Sequence, residues 1–149
     1  MKGAEVTPTI ARFKISGDTP DVRVENPVRY EFADKIALVG YRIESAGGSM
    51  RVRLYWQGRA LMSEDYTVFV HLVDASGKLI AQKDDQPQQG AYPTSFWDVG
   101  ETIADEYVLM VPADFAPRDC KIEIGIYRAG DGTRLPVQGG GDSVVLPGD

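Results

Sequence analysis

The chain carries one histidine, His71, and one cysteine, Cys120. Asp84, Asp85, Glu101 and Asp105 lie close together downstream of the histidine. These groups could support acid–base, nucleophilic or metal chemistry, but none forms a complete unit. Imidazole metal sites mostly draw on more than one histidine, and no H-E-x-x-H or C-x-x-C spacing is present. A nucleophilic serine in a G-x-S-x-G turn is absent too. Two carboxylates of the acidic set could serve a glycosidase, although carboxylates near loops are usually solvated. Asp84, Asp85 and Glu101, with Gln86 and Asp98, offer oxygen ligands of the kind Ca²⁺ takes, without the D-x-D-x-D-G spacing of a dedicated loop. The expectation is a non-catalytic chain with no cofactor and no resident metal.

Binding chemistry is better represented. In residues 66–74, Tyr66, Val68, Val70 and Leu72 point one way in an extended chain, and Thr67, Phe69, His71 and Val73 the other. The same alternation sets Val52, Leu54 and Trp56 against Arg51, Arg53 and Tyr55. It also sets Ile122, Ile124 and Ile126 against Lys121, Glu123, Gly125 and Tyr127. If the three apolar sets face the core, then Arg53, Tyr55, Phe69, His71, Glu123 and Tyr127 share the opposite faces, with a dent at Gly125. Aromatic rings can stack on the C–H faces of a sugar while Arg, His and Glu bond its hydroxyls. The connection 84–100 adds Tyr92, Phe96 and Trp97, and it either builds a site or packs down as a clamp. The candidate ligand-binding residues are Arg53, Tyr55, His71, Tyr92, Trp97 and Tyr127. The plainer reading of His71 is a hydrogen-bonded structural residue.

Strands must position these groups. Alternating segments occur at 10–16, 29–32, 35–45, 50–57, 66–74, 78–83, 101–111, 119–128, 133–137 and 143–146. Gly47-Gly48, Ala75-Ser76-Gly77, the Pro112–Pro117 stretch and 129–132 read as turns. No segment reads as a long helix. About nine short strands with frequent turn signals predict an all-β, antiparallel β-sandwich, Ig-like or like a carbohydrate-binding module. Residues 1–9 read as a linker or flexible N-terminus and 10–147 as one domain.

The 149 residues fit a single domain, and a hydrophobic fraction of 43% suffices for a core. A net charge of −6 excludes nucleic acid as a partner in the absence of a basic stripe. Arg51, Arg53 and Arg59 form a local basic cluster, most simply a solvated strand face. A lone cysteine rules out an internal disulfide, and the parity of Cys120 with Ile122, Ile124 and Ile126 predicts a small buried group. No apolar run reaches the roughly 18 residues of a membrane span, so direct insertion is not expected.

Several blocks occur in a telling order: YEFADKIALVGYRI, RLYWQ, DYTVFVHLVDASGKLIAQKDDQP, YPTSFWDVGE, the D-x-Y of Asp105 to Tyr107, and IGIYRAGDGTRLPV. Together, from about Tyr30 to Leu146, they resemble the soluble C-terminal β-sandwich of bacterial polytopic membrane proteins of the dolichyl-phosphate-mannose–protein mannosyltransferase type. The chain departs from that pattern at Arg128, where an acidic residue commonly stands, and at Gln88-Gln89, in place of a smaller, Gly-containing pair. The resemblance implies a module outside the cytoplasmic membrane, beside a membrane-embedded glycosyltransferase region. It carries over no catalytic residue. The expected function is an accessory domain that recognises carbohydrate or glycoconjugate. The alternatives are a structural or protein-interaction module with no small ligand and a glycan-processing enzyme.

Overall fold

A computed structural model describes residues 23–116 and 119–146. The expected opening strand at 10–16 and linker at 1–9 lie outside the described residues. Among the described residues eight strands follow in order: β1 (Tyr30–Phe32), β2 (Ile36–Ala46), β3 (Ser49–Gly58), β4 (Tyr66–Val73), β5 (Leu79–Asp85), β6 (Thr102–Met110), β7 (Lys121–Arg128) and β8 (Val144–Val145). They form two four-stranded antiparallel sheets, β1-β2-β3-β6 (sheet A) and β5-β4-β7-β8 (sheet B). The chain is an antiparallel β-sandwich. If β2 to β8 are lettered A, B, C, C′, E, F and G, the sheets read A-B-E and C′-C-F-G, an immunoglobulin-type order without a D strand. Among the described residues no helix is long and apolar enough to cross a membrane.

The inner faces follow the alternation. Val52, Leu54 and Trp56 of β3 and Ile103, Tyr107 and Leu109 of β6 face Val68, Val70 and Leu72 of β4 and the three isoleucines of β7, all buried. Burial of such side chains supplies about 1.5–3 kcal/mol each, which is what draws the sheets together. The β1–β2 hairpin turns at Ala33 and Asp34, both left-handed (φ 53° and 57°), as a tight primed turn requires. Residues 133–137 do not form the predicted strand. They make isolated bridges, Arg134 to Tyr127 and Val137 to Phe32, and so tie the two sheets together. Cys120 is only half-buried, because it precedes β7, and burial pushes its thiol pKa up.

One expectation is overturned by the strand order. β3 lies in sheet A, while β4 and β7 lie in sheet B. Arg53 and Tyr55 therefore point out from one side of the sandwich, and Phe69, His71, Glu123 and Tyr127 from the other. Side-chain parity fixes inward or outward, but it does not say which sheet a strand joins.

Candidate functional site

The outer face of sheet B is built by cross-strand pairs. Phe69 stands opposite Gly125 on one side and Asp84 on the other, and His71 opposite Glu123 and Gln82. The expected dent at Gly125 is filled. A Cβ there would overlap the Phe69 ring, so the ring lies flat on the glycine and is buried although it faces outward. The Arg134 guanidinium sits 4.4 Å above that ring, a cation–π contact, and pairs with Asp142 at 3.3 Å. Tyr127 lies beyond, its ring 6.3 Å from Phe69, and its hydroxyl donates across β4 to Asp84 Oδ2 at 2.9 Å.

His71 stacks obliquely on Phe69 at 4.5 Å. Its Nε2 is 4.0 Å from Asp84 Oδ1 and its Nδ1 is 3.9 Å from Glu123 Oε1. Both separations exceed hydrogen-bond length. The expected hydrogen-bonded structural histidine is thus not what the described residues provide. Each flanking carboxylate has its other oxygen fixed, Asp84 Oδ2 by Tyr127 and Glu123 Oε2 by Ser143 at 2.6 Å. Partial burial holds the imidazole pKa below its usual range; Asp84 and Glu123 oppose this and Arg134 adds to it. The result is a row of acceptor, imidazole and acceptor beside a half-exposed phenol ring and a guanidinium. Because the carboxylates flank opposite nitrogens, they do not converge on one point as ligands of a single ion would.

The other candidates fall elsewhere. Tyr55 is buried on the outer face of sheet A, where its hydroxyl donates to Glu25 at 2.6 Å. Val24 and Glu25 cross that face above Gly40, where any Cβ would overlap them. Arg53 shares with Tyr55, Arg23, Val24 and Glu25 an open cleft of about 560 Å³. The basic cluster is neutralised in place: Arg51 pairs with Glu106 at 3.0 Å, Arg53 with Glu25 at 3.7 Å and Arg59 with Glu31 at 3.3 Å.

Trp97 is not available to a ligand. It is fully buried, and its indole N–H donates to the Tyr92 carbonyl at 3.0 Å. The Tyr92 hydroxyl in turn meets Glu101 at 2.8 Å. Thr94 donates to the Glu64 carbonyl at 2.7 Å and accepts from the Tyr66 N–H at 3.1 Å. The aromatic loop is therefore a clamp that closes one end of the sandwich. Asp84, Asp85 and Glu101 do not assemble a cation site: Asp84 holds Tyr127, Asp85 accepts the Gln86 N–H, Glu101 holds Tyr92, and no metal-capable cluster occurs among the described residues.

The sequence reading underused Asp105, which is 2% exposed and points inward. It accepts from the Tyr107 hydroxyl at 2.6 Å, the Gln88 N–H at 2.7 Å, the Glu106 N–H at 3.1 Å and the Trp56 indole at 3.3 Å. Burial nevertheless pushes its pKa up to about 6. This carboxylate pins the Pro87–Gly90 turn to sheet A, where Gln88 and Gln89 adopt left-handed φ of 56° and 55°. It is a structural anchor, not an exposed catalytic acid. The signal for it was its parity with Ile103, Tyr107 and Leu109.

No family model and no curated protein matches this chain. Among solved structures it is similar to a β-glucuronidase from glycoside hydrolase family 2, at TM-score 0.45 and 11% identity over 76% of this chain and 11% of that one. It is also similar to a Bacteroides uniformis β-glucuronidase, at TM-score 0.44 and 14% identity over 93% of this chain and 18% of that one. A calcium-binding mutant of B. uniformis β-glucuronidase 2 gives TM-score 0.44 and 12% identity, over 80% and 14% of the two chains. The chain spans less than a fifth of each of these enzymes, and no family is assigned to it.

Proposed function

We propose that this β-sandwich is a non-catalytic accessory domain that binds carbohydrate or glycoconjugate on the outer face of sheet B. The observation that carries this reading is the row Asp84–His71–Glu123. Two carboxylate oxygens, Asp84 Oδ1 and Glu123 Oε1, flank an imidazole at 4.0 and 3.9 Å, while their sister oxygens are already bonded. Sugar hydroxyls donate and accept in turn, so they can bridge these acceptors and the imidazole where the protein's own groups do not. Tyr127 offers a half-exposed ring for the C–H face of the sugar, and Arg134 a donor at the margin. The site residues in this proposal are His71, Asp84, Glu123, Tyr127 and Arg134; Arg53, Tyr55, Tyr92 and Trp97 are no longer among them. As the resemblance implied, the domain would work outside the cytoplasmic membrane, as one module of a longer membrane-anchored protein with a glycosyl-transferring neighbour.

The test is a glycan-array screen of the purified domain, with and without Ca²⁺, followed by the same screen on Tyr127→Ala and His71→Ala. Binding that both substitutions abolish while the fold persists supports the proposal. Binding that both retain, or none on any glycan, overturns it.

A further inference from the structure

Two like charges stand opposite each other on the outer face of sheet A. Arg42 of β2 is in register with Arg53 of β3, and Arg53 in turn with Glu106 of β6. Like charges directly opposite across a ladder repel, so this pair needs a carboxylate above it. The segment that crosses the face supplies one. Tyr41 N–H donates to the Glu25 carbonyl at 2.9 Å, and the Asn26 side-chain amide donates to the Tyr41 carbonyl at 2.9 Å, which seats Glu25 over the two arginines. Both oxygens of that carboxylate are committed: Oε2 accepts from Arg42 at 2.7 Å and Oε1 from the Tyr55 hydroxyl at 2.6 Å.

Arg53 is left with donors to spare. Its Nη1 is 3.7 Å from Glu25 Oε1 and its Nη2 is 3.9 Å from Glu106 Oε2, close enough to offset charge and too far to hydrogen-bond. Among the described residues its side chain bonds only the Tyr55 hydroxyl, and a guanidinium has five N–H donors. Arg23 is exposed, and among the described residues its side chain makes no ion pair. Both arginines line one open cleft of about 560 Å³, with Val24, Glu25 and Tyr55 as the rest of its wall. Around this cleft Arg23, Arg42, Arg51 and Arg53 meet only Glu25, Glu44 and Glu106 among the described residues, which leaves one positive charge unmatched.

We infer that the cleft between Arg23 and Arg53 binds a carboxylate. One negative charge completes the count, whereas a phosphate monoester, at about −1.5 to −2, would set excess charge beside Glu25. A carboxylate is planar and presents two acceptor oxygens, which suits the guanidinium fork. The same face already holds one carboxylate this way, Glu25 between Arg42 and the Tyr55 hydroxyl. The Tyr55 ring is buried and offers no stacking surface, so neutral sugars leave this cleft unmoved. Exposed ion pairs are individually weak, and saturation is expected in the millimolar range.

NMR of the arginine Nε–Hε groups in the whole chain tests this, with acetate as the probe and chloride exchanged to hold ionic strength constant. The Arg23 and Arg53 signals should shift and saturate. Those of Arg59 and Arg134, each paired with a carboxylate at 3.3 Å, should stay in place. Arg23→Gln should raise the dissociation constant roughly tenfold, the loss of one hydrogen bond between charged groups. Arg53→Gln should do the same; it also disturbs Glu25 and Glu106, so if that variant unfolds the exposed Arg23→Gln decides. Shifts that chloride alone reproduces, or that run through all arginines alike, overturn the inference. So does acetate binding that Arg23→Gln leaves intact, or sulfate that binds more tightly than acetate at equal ionic strength. Sheet B faces the other way, so glycan binding there can fail or succeed independently of this result.

Discussion

Replacing Asp105 by asparagine separates what burial does to this carboxylate from what its donors do. In the folded chain the pKa is pushed up to about 6 from an ordinary 3.8. A tenfold change in an ionisation constant is worth about 1.36 kcal/mol, so ionising Asp105 costs the folded state roughly 3 kcal/mol more than it costs the unfolded chain. The sign follows from proton counting. Between those two pH values the folded state holds more protons than the unfolded one, so this contribution to stability is full below about pH 3.8 and is lost as pH rises through 6. An asparagine side chain cannot titrate. Its amide N–H₂ would face the donors of Tyr107, Gln88 or Trp56, at a fixed cost of about 1–3 kcal/mol at every pH. Urea unfolding of both proteins from about pH 4 to 8 should show the Asp105→Asn variant gaining on the wild type as pH rises, by up to about 3 kcal/mol. All other titrations are common to both chains and cancel. A difference that is flat with pH would refute the raised pKa. A difference of opposite slope would mean that the four donors outweigh burial.

Three further outcomes follow from the geometry. Trp97→Ala should cost about 3–5 kcal/mol in chemical denaturation, since a fully buried indole and its bond to Tyr92 are lost; an unchanged unfolding midpoint would remove the clamp reading. Gly125→Ala drives a methyl into the Phe69 ring, and destabilisation of about 1–3 kcal/mol is expected, with displaced His71 resonances in NMR spectra. A neutral substitution would mean that the ring does not rest on the glycine. Tyr127→Phe releases Asp84 from its hydroxyl partner and lets that carboxylate serve the imidazolium, so the His71 pKa followed by NMR titration should rise; no change, or a fall, contradicts the proposed row.

The strands and their inward faces are legible in the alternation, because Val52, Leu54, Trp56, Ile122, Ile124 and Ile126 leave little choice of side. The partition between sheets is not. Parity is a local property, whereas strand order depends on crossovers such as that from β3 to β4, which no residue type announces. The outward residues Tyr55 and Phe69 read as exposed and are buried for one shared reason. Gly40 and Gly125 interrupt clean strands, and in each case another group lies on the missing side chain: Val24 and Glu25 at the first, the Phe69 ring at the second. Gly125 reads as a vacancy in the sequence, whereas in the fold it marks a contact. The loop 84–100 reads as either clamp or platform, and the depth of Trp97 decides for the clamp at that end. Of the six candidate ligand residues, His71 and Tyr127 come together on the outer face of sheet B and Arg53 and Tyr55 on that of sheet A, where the Tyr55 ring is already buried.

The most direct test of the sugar-binding face is an amide NMR titration of the domain with soluble oligosaccharides chosen from array positives. Saturable shifts are expected, confined to residues 67–71 of β4, 82–84 of β5, 123–127 of β7 and the neighbourhood of Arg134, with β3 residues 51–55 undisturbed. Shifts centred on Arg53 and Tyr55, or a spectrum that no glycan moves, would contradict it.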